Sequence, residues 1–215
     1  MVLLYKKEGR NYDQVYTRTV ATPNGWTFVI PNVDSVSYGY LYNNNITSKE
    51  DARKDFLDRF ELPETDGELI FENYMAKNMF VGERTVLNGN MYGFVEPMEA
   101  TSLQFYQDLC RQAWDGIFNI KSWDVCNGNI RRVMKEIETF ILWHYQYGSK
   151  YDTPFWEYAK SLPFYPDERF RELIKNPLSS RELDMAEYKK DFDEDKYVYG
   201  QWKTASMRGW KDGME

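Results

Sequence analysis

A ten-residue segment, Gly93 to Ser102, separates a part of the sequence with strand-like patterns from a part with helical ones. It contains two glutamates on either side of Pro97 and ends in two hydroxyl residues. Beyond it, apolar residues recur at steps of three and four, which predicts one buried face of a helix. That face comprises Leu103, Tyr106, Leu109, Cys110, Ala113, Trp114 and Ile117. The segment therefore predicts a loop that delivers Glu99 to the start of a helix.

The start of this predicted helix offers groups that can bind an anion. Thr101 or Ser102 is the expected N-cap, with a hydroxyl that accepts a hydrogen bond from a first-turn amide. Unpaired N–H groups and the positive end of the helix dipole can hold an anion there, and Glu99 would lie beside it. A plainer interpretation stays open, because the dipole alone favours a carboxylate near a helix start and an N-cap alone explains both hydroxyl residues.

Composition limits the classes of protein to which the chain can belong. Its 215 residues fit one domain or part of a larger one, and its 42% hydrophobic and 17% aromatic content supports a packed core. A net charge of −7 without a dense Lys/Arg cluster argues against nucleic acid as a partner. No apolar run predicts a signal peptide or a membrane span, so we expect a cytoplasmic protein. Two distant cysteines and one histidine predict no metal site, and Cys110 is expected to be a buried thiol.

The order of patterns predicts an α+β fold, with a strand-rich part over residues 1–100 and a helical part over 101–215. Strands are expected at 1–6, 26–30, 36–42, 69–71 and 80–87, and helices after Ser48 and at 102–119, 128–147 and 167–175. Residues 152–156 are expected to form a rigid turn, after which Trp156 and Tyr158 pack inward. His144 lies on one helical face with Ile130, Met134, Ile137 and Ile141, so a role in packing is favoured over one as a base.

Three blocks of the sequence, in order, resemble the flavin-dependent tryptophan halogenases. Phe94-Val95-Glu96-Pro97-Met98-Glu99-Ala100-Thr101-Ser102 is similar to the F-L-E-P-L-E-[SA]-T-[GS] segment of that family. Tyr16-Thr17-Arg18 followed by Gly25-Trp26-Thr27-Phe28-Val29-Ile30-Pro31 resembles Y-T-R and G-W-x-W-x-I-P. His144-Tyr145 and Asp152-Thr153-Pro154-Phe155-Trp156 resemble H-Y and D-T-P-F-W. The resemblance spans residues 10–205 and implies the C-terminal part of a flavin monooxygenase-like fold.

The resemblance implies a role for particular residues. Glu99 corresponds to the catalytic glutamate, and the amides of Thr101 and Ser102 to the halide site. Gly89, Asn90 and Leu103 fall at flavin-contacting positions. The substrate-side positions are Trp26, Phe28, Tyr197 and Trp202. Two departures matter, because Phe28 replaces a tryptophan of the halogenase motif and Ser102 replaces a glycine whose backbone freedom a serine lacks.

The same resemblance implies a reaction, in which reduced FAD, oxygen and chloride or bromide halogenate an indole or phenol type of ring. A partner reductase would supply the reduced flavin. The sequence contains neither the glycine-rich dinucleotide fingerprint nor the family's catalytic-lysine segment, so we expect a C-terminal portion of the fold and no turnover by this chain alone. A truncated gene, a split enzyme with a separate N-terminal half and an incomplete sequence all fit this expectation. Two alternatives remain at this point, a non-catalytic remnant or interaction module of the same fold and a flavin monooxygenase that hydroxylates.

Overall fold

Within the described residues, most strands lie in the first part of the chain and most helices in the second. The computed structural model describes residues 1–9, 15–82, 84–98, 100–175, 197–199 and 201–203. The strands are β1 Val2–Glu8, β2 Arg18–Thr22, β3 Gly25–Pro31, β4 Ser35–Tyr42, β5 Gly67–Leu69, β6 Tyr74–Met75, β7 Phe80–Val81, β8 Thr85–Val86, β9 Gly93–Phe94, β10 Tyr197–Tyr199 and β11 Trp202–Lys203. The helices are α1 Lys49–Phe60, α2 Ser102–Ile117, α3 Trp123–Tyr147, α4 Pro154–Ser161 and α5 Glu168–Lys175. The predicted α+β class is confirmed.

The chain divides into two compact units, and each unit is formed by two separate stretches of the sequence. The first unit contains residues 1–72 and 145–162, and the second contains 73–144 and 163–215. Helix α3 therefore begins in the second unit and ends in the first. The division into domains near residue 100 stays a prediction.

The first unit is an antiparallel sheet of five strands in the order β2-β3-β4-β1-β5, covered by α1. Ser48 caps α1 as predicted, because its side chain accepts a hydrogen bond from the Asp51 backbone N–H. The core formed with the sheet contains Leu3, Tyr40, Tyr42, Ala52, Phe56 and Leu62. The Tyr40 hydroxyl donates to Asp55 at 2.7 Å, which fixes the buried ring to the helix.

The second unit packs short hairpins and α2 against α3. Ile130, Met134, Ile137 and Ile141 are buried along α3, as the periodicity predicted. His144 is buried on the same helix, and its Nδ1 lies 2.8 Å from the Phe140 carbonyl oxygen one turn earlier. The packing role predicted for His144 is confirmed.

Three predictions about local structure were wrong. Residues 80–87 form the hairpin β7–β8 instead of one strand, since Gly82 between them adopts a left-handed φ of 62° that reverses the chain. Residues 154–161 form helix α4, with Pro154 in its first turn, where a missing N–H costs nothing. Trp156 is buried in that helix, but Tyr158 is 46% exposed instead of packed inward.

The face that α2 buries was predicted only in part, since Leu109 and Ala113 are buried as expected and the other predicted residues are not. The buried residues are Phe105, Leu109, Ala113 and Gly116. Leu103, Trp114 and Ile117 are 71%, 59% and 55% exposed. Cys110 is an exposed free thiol, and Cys126 is the buried one. The prediction included exposed positions because α2 carries apolar residues on more of its circumference than the side that packs against this chain.

None of the helices within the described ranges has both the length and the apolarity needed to cross a lipid bilayer. The cytoplasmic location stays a prediction.

Candidate functional site

The segment that begins at Gly93 is anchored in the second unit by backbone pairing. Strand β9 pairs with β6, and beyond it the Glu96 backbone N–H donates to the Asn73 side chain at 3.0 Å. A Cβ atom at position 93 would lie 2.9 Å from Met134 Cε. The Cβ would also lie 3.1 Å from the Tyr74 carbonyl oxygen, and because Met134 Cε is the movable end of a side chain, this backbone contact is the stronger reason for glycine at position 93.

The loop then turns sharply before α2. The Ala100 N–H donates to the Pro97 carbonyl oxygen at 3.2 Å, and Ala100 has a φ of 52°. This left-handed conformation is unfavourable for a residue with a Cβ, and such strain concentrates at functional sites. Glu99, the predicted catalytic residue, precedes Ala100 and lies outside the described residues.

Helix α2 begins where the sequence predicted, but its cap differs. Thr101 is the N-cap, yet its side chain makes no capping hydrogen bond, so the predicted role of its hydroxyl was wrong. The first backbone bond runs from the Phe105 N–H to the Thr101 carbonyl oxygen at 3.0 Å. The amides of the first turn precede that bond, so helix geometry leaves them without an intrahelical acceptor. Ser102 opens the helix with right-handed angles, and the glycine of the family pattern is not needed there.

A small pocket lies at this helix start, with about 230 Å³ of space including solvent at its mouth. It is lined by Gly93, Val95, Thr101, Ser102, Phe105, Tyr106, Met134 and Ile137. Thr101 is buried, and the α3 side chains Met134 and Ile137 supply an apolar wall. A helix start beside an apolar wall is an arrangement that suits a small, weakly hydrated anion.

The predicted flavin-contacting residues lie in the same unit as this pocket. Gly89 and Asn90 fall in a single 3₁₀ turn, Gly89–Met91, whose first amide is bonded by the Asn88 side chain. The Tyr106 hydroxyl, which belongs to the pocket wall, donates to the Asn90 side-chain oxygen. This bond connects the turn to α2. Leu103, one residue beyond Ser102, is 71% exposed.

The wall behind the pocket includes a buried phenol. Tyr92 directly precedes Gly93, and its ring lies 6.2 Å from the ring of Phe105. Burial raises the pKa of Tyr92, and the charge of Arg131 lowers it by a smaller amount. The Tyr92 hydroxyl therefore stays protonated near neutral pH.

The predicted substrate-side pair on β3 belongs to the first unit. Trp26 is 1% exposed, and its indole N–H donates to the Tyr145 hydroxyl at 3.0 Å. Phe28, two residues further along β3, is half-buried, and its ring lies over the backbone of Gly39, its pairing partner on β4. A Cβ atom at position 39 would lie 1.9 Å from that ring. Both rings thus have a packing function on one sheet face. Their contact with substrate stays a prediction.

The remaining substrate-side residues lie near the end of the chain, in the second unit. Tyr197 is in β10, which pairs with β11, and its side chain lies outside the described part. Trp202 is buried and stacks on Phe140 with ring centroids 3.8 Å apart. That stack gives Trp202 a place in the core of its unit.

Sequence reasoning missed several residues that hold these segments in place. Tyr145 and Trp156 secure the first unit, Trp156 by donating its indole N–H to the Thr22 carbonyl oxygen at 2.7 Å. In the second unit, Asn127 accepts from the Met79 backbone N–H at 2.9 Å. A motif match flagged Tyr145 and Trp156, but it gave no partner for either. Among the described residues, no three His, Cys, Asp or Glu side chains come together as a metal site would require.

Comparison with solved structures gives the fold class. The lanthipeptide tryptophan 5-halogenase MibH has a TM-score of 0.72 at 19% identity, over 99% of this chain and 41% of its own. BrvH, a flavin-dependent halogenase from Brevundimonas, has a TM-score of 0.71 at 22% identity, over 99% of this chain and 42% of its own. The chain thus has the fold of one part of these enzymes.

The sequence comparison identifies the family. The profile of the tryptophan halogenase family matches residues 2–202, so the chain belongs to that family. Tryptophan 7-halogenase RebH of Lentzea aerocolonigenes is 29% identical over 68% of this chain and 29% of its own length. Tryptophan 6-halogenase ThaL of Streptomyces albogriseolus is 23% identical over 95% of this chain and 38% of its own. The chain therefore spans less than two-fifths of the length of these relatives.

Proposed function

We propose that this chain supplies the halide pocket and substrate-side part of a flavin-dependent halogenase that acts on an electron-rich aromatic ring. The observation that carries the proposal is the pocket at the start of α2, formed by the family's own segment and lined by Thr101 and Ser102. Membership of the tryptophan halogenase family supports it, as do the names of the relatives, which act on tryptophan.

The chain's residues fit a halide better than they fit a whole flavin. The first-turn amides of α2 would bind chloride or bromide, and the wall of Met134 and Ile137 would limit water around it. Asn90 and Leu103 would contact the flavin from one side, while its pyrophosphate needs a glycine-rich fingerprint that this sequence does not contain. Most of the flavin site would thus come from residues outside these 215.

Reduced FAD, when bound, would supply two of the four electrons that reduce oxygen to water, and the halide together with the ring C–H would supply the other two. In the balanced reaction, reduced FAD, oxygen, halide, a proton and the aromatic C–H give FAD, two waters and the carbon–halogen product. The Glu99 carboxylate would lie near the ring carbon that is attacked, where it would stabilise the cationic ring and accept its proton. A positioned acid–base group of this kind contributes roughly 10²- to 10⁴-fold to the rate.

The test is expression of these residues together with the upstream-encoded residues that complete the fold, in the same reading frame or in a separate one, followed by assay with FAD, a flavin reductase, oxygen and bromide. Mass spectrometry of products from tryptophan, indole and a phenol would detect the halogenated ring. We expect Glu99→Gln to lower the rate by about 10²-fold or more. Glu96→Gln, in the same loop, is the control and should retain activity. Equal losses in the two variants, or no halogenated product from the wild type, would contradict the proposal.

A second candidate function is hydroxylation by the same fold, and Phe28 is the residue that favours it. Phenylalanine retains bulk but loses the indole donor of the family's second tryptophan. Product mass measured with and without bromide separates the two functions, because a hydroxylase adds oxygen in either case. We also expect no turnover by the 215-residue chain alone.

A further inference from the structure

Two side chains of helix α2 hold the 3₁₀ turn that contains Gly89 and Asn90. The Tyr106 hydroxyl donates a hydrogen bond to Asn90 Oδ1. One helical turn further on, Cys110 Sγ accepts from Asn88 Nδ2 at 3.2 Å. Because residues four apart lie on the same side of a helix, these two bonds attach the turn to α2 at successive points.

The bond from Tyr106 fixes the orientation of the Asn90 amide. The amide carries its oxygen and its nitrogen on the same carbon, so bonding Oδ1 to the phenol directs the two N–H donors away from Tyr106. Asn90 is exposed, as is Met91 beside it. Without the hydroxyl, the amide would rotate about its last side-chain bond and its donors would have no fixed direction.

The second bond fixes the first residue of the turn. Asn88 Oδ1 accepts from the Gly89 N–H at 2.8 Å, so the Asn88 amide is held by the turn at one end and by Cys110 at the other. Gly89 has a φ of 58°, and, its chain neighbours aside, no atom of the described residues lies within 4 Å of the place a Cβ would occupy. A ligand can therefore approach the backbone closely at Gly89.

We propose that Tyr106 and Cys110 are positioning residues for the flavin, and that Tyr106 acts through Asn90, whose amide donates to an acceptor oxygen of the flavin. This rests on the proposed function, because it takes the turn Gly89–Met91 as part of the flavin site. The residues present fit the group, since a flavin carries carbonyl, hydroxyl and phosphate oxygens and the turn offers neutral donors beside open space.

The same phenol connects the turn to the halide pocket. Tyr106 lines that pocket together with Ser102, one helical turn before it. Phenylalanine at position 106 would keep the ring in the pocket wall and remove only the hydroxyl. Flavin binding and halide binding should therefore respond differently to Tyr106→Phe.

The test measures the Kd for FAD by quenching of flavin fluorescence, in the protein that also contains the residues that complete the fold. Loss of one hydrogen bond should raise this Kd about three- to tenfold in Tyr106→Phe, with the KM for bromide changed by less than about twofold. Asn90→Ala should raise the Kd at least as much. The double variant should bind FAD no more weakly than Asn90→Ala alone, because Tyr106 acts through that amide.

Cys110 is tested by a pair of variants that remove or keep the acceptor. Cys110→Ala should raise the Kd for FAD by about two- to threefold, a smaller effect because sulfur is a weak acceptor. Cys110→Ser keeps an acceptor and should restore the wild-type value. The matched control is Tyr165→Phe, which removes an 82% exposed phenol of the same unit and should leave the Kd unchanged.

Each part of the proposal can fail by itself. Equal FAD affinities of the wild type and Tyr106→Phe would overturn the role of Tyr106, as would an equal loss of FAD and bromide binding. Additive losses in the double variant would overturn its action through Asn90. Cys110→Ser as weak as Cys110→Ala would overturn the role of Cys110.

The positioning role and the proposed function are separated by the same measurements. FAD binding that depends on Tyr106, in a protein that makes no halogenated product, would support the positioning role and contradict the proposed function. Halogenated product with equal FAD affinities would do the reverse. A completed wild type that binds no FAD would overturn both.

Discussion

Replacing Tyr145 by phenylalanine removes one oxygen atom and keeps the ring that packs against Phe155 and Trp156. That oxygen accepts the Trp26 indole N–H at 3.0 Å, and the two side chains are 8% and 1% exposed. Without it the indole N–H stays buried with no acceptor, because β3 fixes the Trp26 ring. Leaving a buried donor unsatisfied costs roughly 1–3 kcal/mol, and the unchanged ring adds no cavity term.

The predicted loss is large enough to measure by urea unfolding. With a typical m-value of about 2 kcal/mol/M, the midpoint of the first unit should fall by roughly 0.5–1.5 M. Tryptophan fluorescence and far-ultraviolet circular dichroism should both be recorded, since a chain of two compact units need not unfold in one step. Tyr147→Phe is the control on the same helix, because Tyr147 is 58% exposed, and its midpoint should stay near that of the wild type.

A double-mutant cycle with Trp26→Phe isolates the hydrogen bond from the other effects of each substitution. Residues in direct contact show coupling energies of about 0.5–3 kcal/mol, whereas independent sites add to within about 0.5 kcal/mol. If the coupling between positions 26 and 145 is no larger than the additive error, or if Tyr145→Phe behaves like Tyr147→Phe, the hydrogen bond does not stabilise the unit and the reasoning is refuted.

Two further predictions concern stability. Gly93→Ala should destabilise the second unit by about 1 kcal/mol, because the new Cβ would lie 3.1 Å from the Tyr74 carbonyl oxygen, while Met134 Cε at 2.9 Å can move aside. Gly128→Ala, whose Cβ meets nothing within 4 Å inside α3, should be neutral or stabilising in the same thermal melts. Burial, with Asp55 adding to it, raises the pKa of Tyr40 above its ordinary value of 10.0, so this contribution to stability is complete below that pH and is lost as the pH rises above it. Tyr40→Phe should therefore show a shallower alkaline loss of stability than the wild type, and parallel curves above pH 10 would contradict the assignment.

Local signals in the sequence were sufficient for the elements that depend on local chemistry. Ser48 and Asp51 predicted the start of α1, and the β-branched and aromatic run from Trp26 predicted β3, because a cap and a strand pattern each lie within a few residues. The hairpin around Gly82 and the helix that begins at Pro154 were missed. In both cases a turn signal was present, and what followed it depended on packing elsewhere in the chain.

The pairing of distant residues could not be predicted at all. The bond between Trp26 and Tyr145 joins residues 119 positions apart, and the bond between Trp156 and Thr22 joins residues 134 apart. The family resemblance marked Trp26, Tyr145 and Trp156 without a structural reason, and these hydrogen bonds supply one. Because the bonds hold distant parts of the first unit together, the presence of these residues in the family pattern is weak evidence for a catalytic role.

The face predicted for α2 shows what periodicity cannot decide. Periodicity finds every apolar position on a helix, and it cannot separate the positions that pack against the same chain from those that do not. Leu103, Cys110, Trp114 and Ile117 were predicted to be buried and are exposed. They were selected by their three- and four-residue spacing, so their alignment along the helix follows from that selection. Which of the apolar positions become buried is decided by tertiary contacts, which lie outside any local pattern.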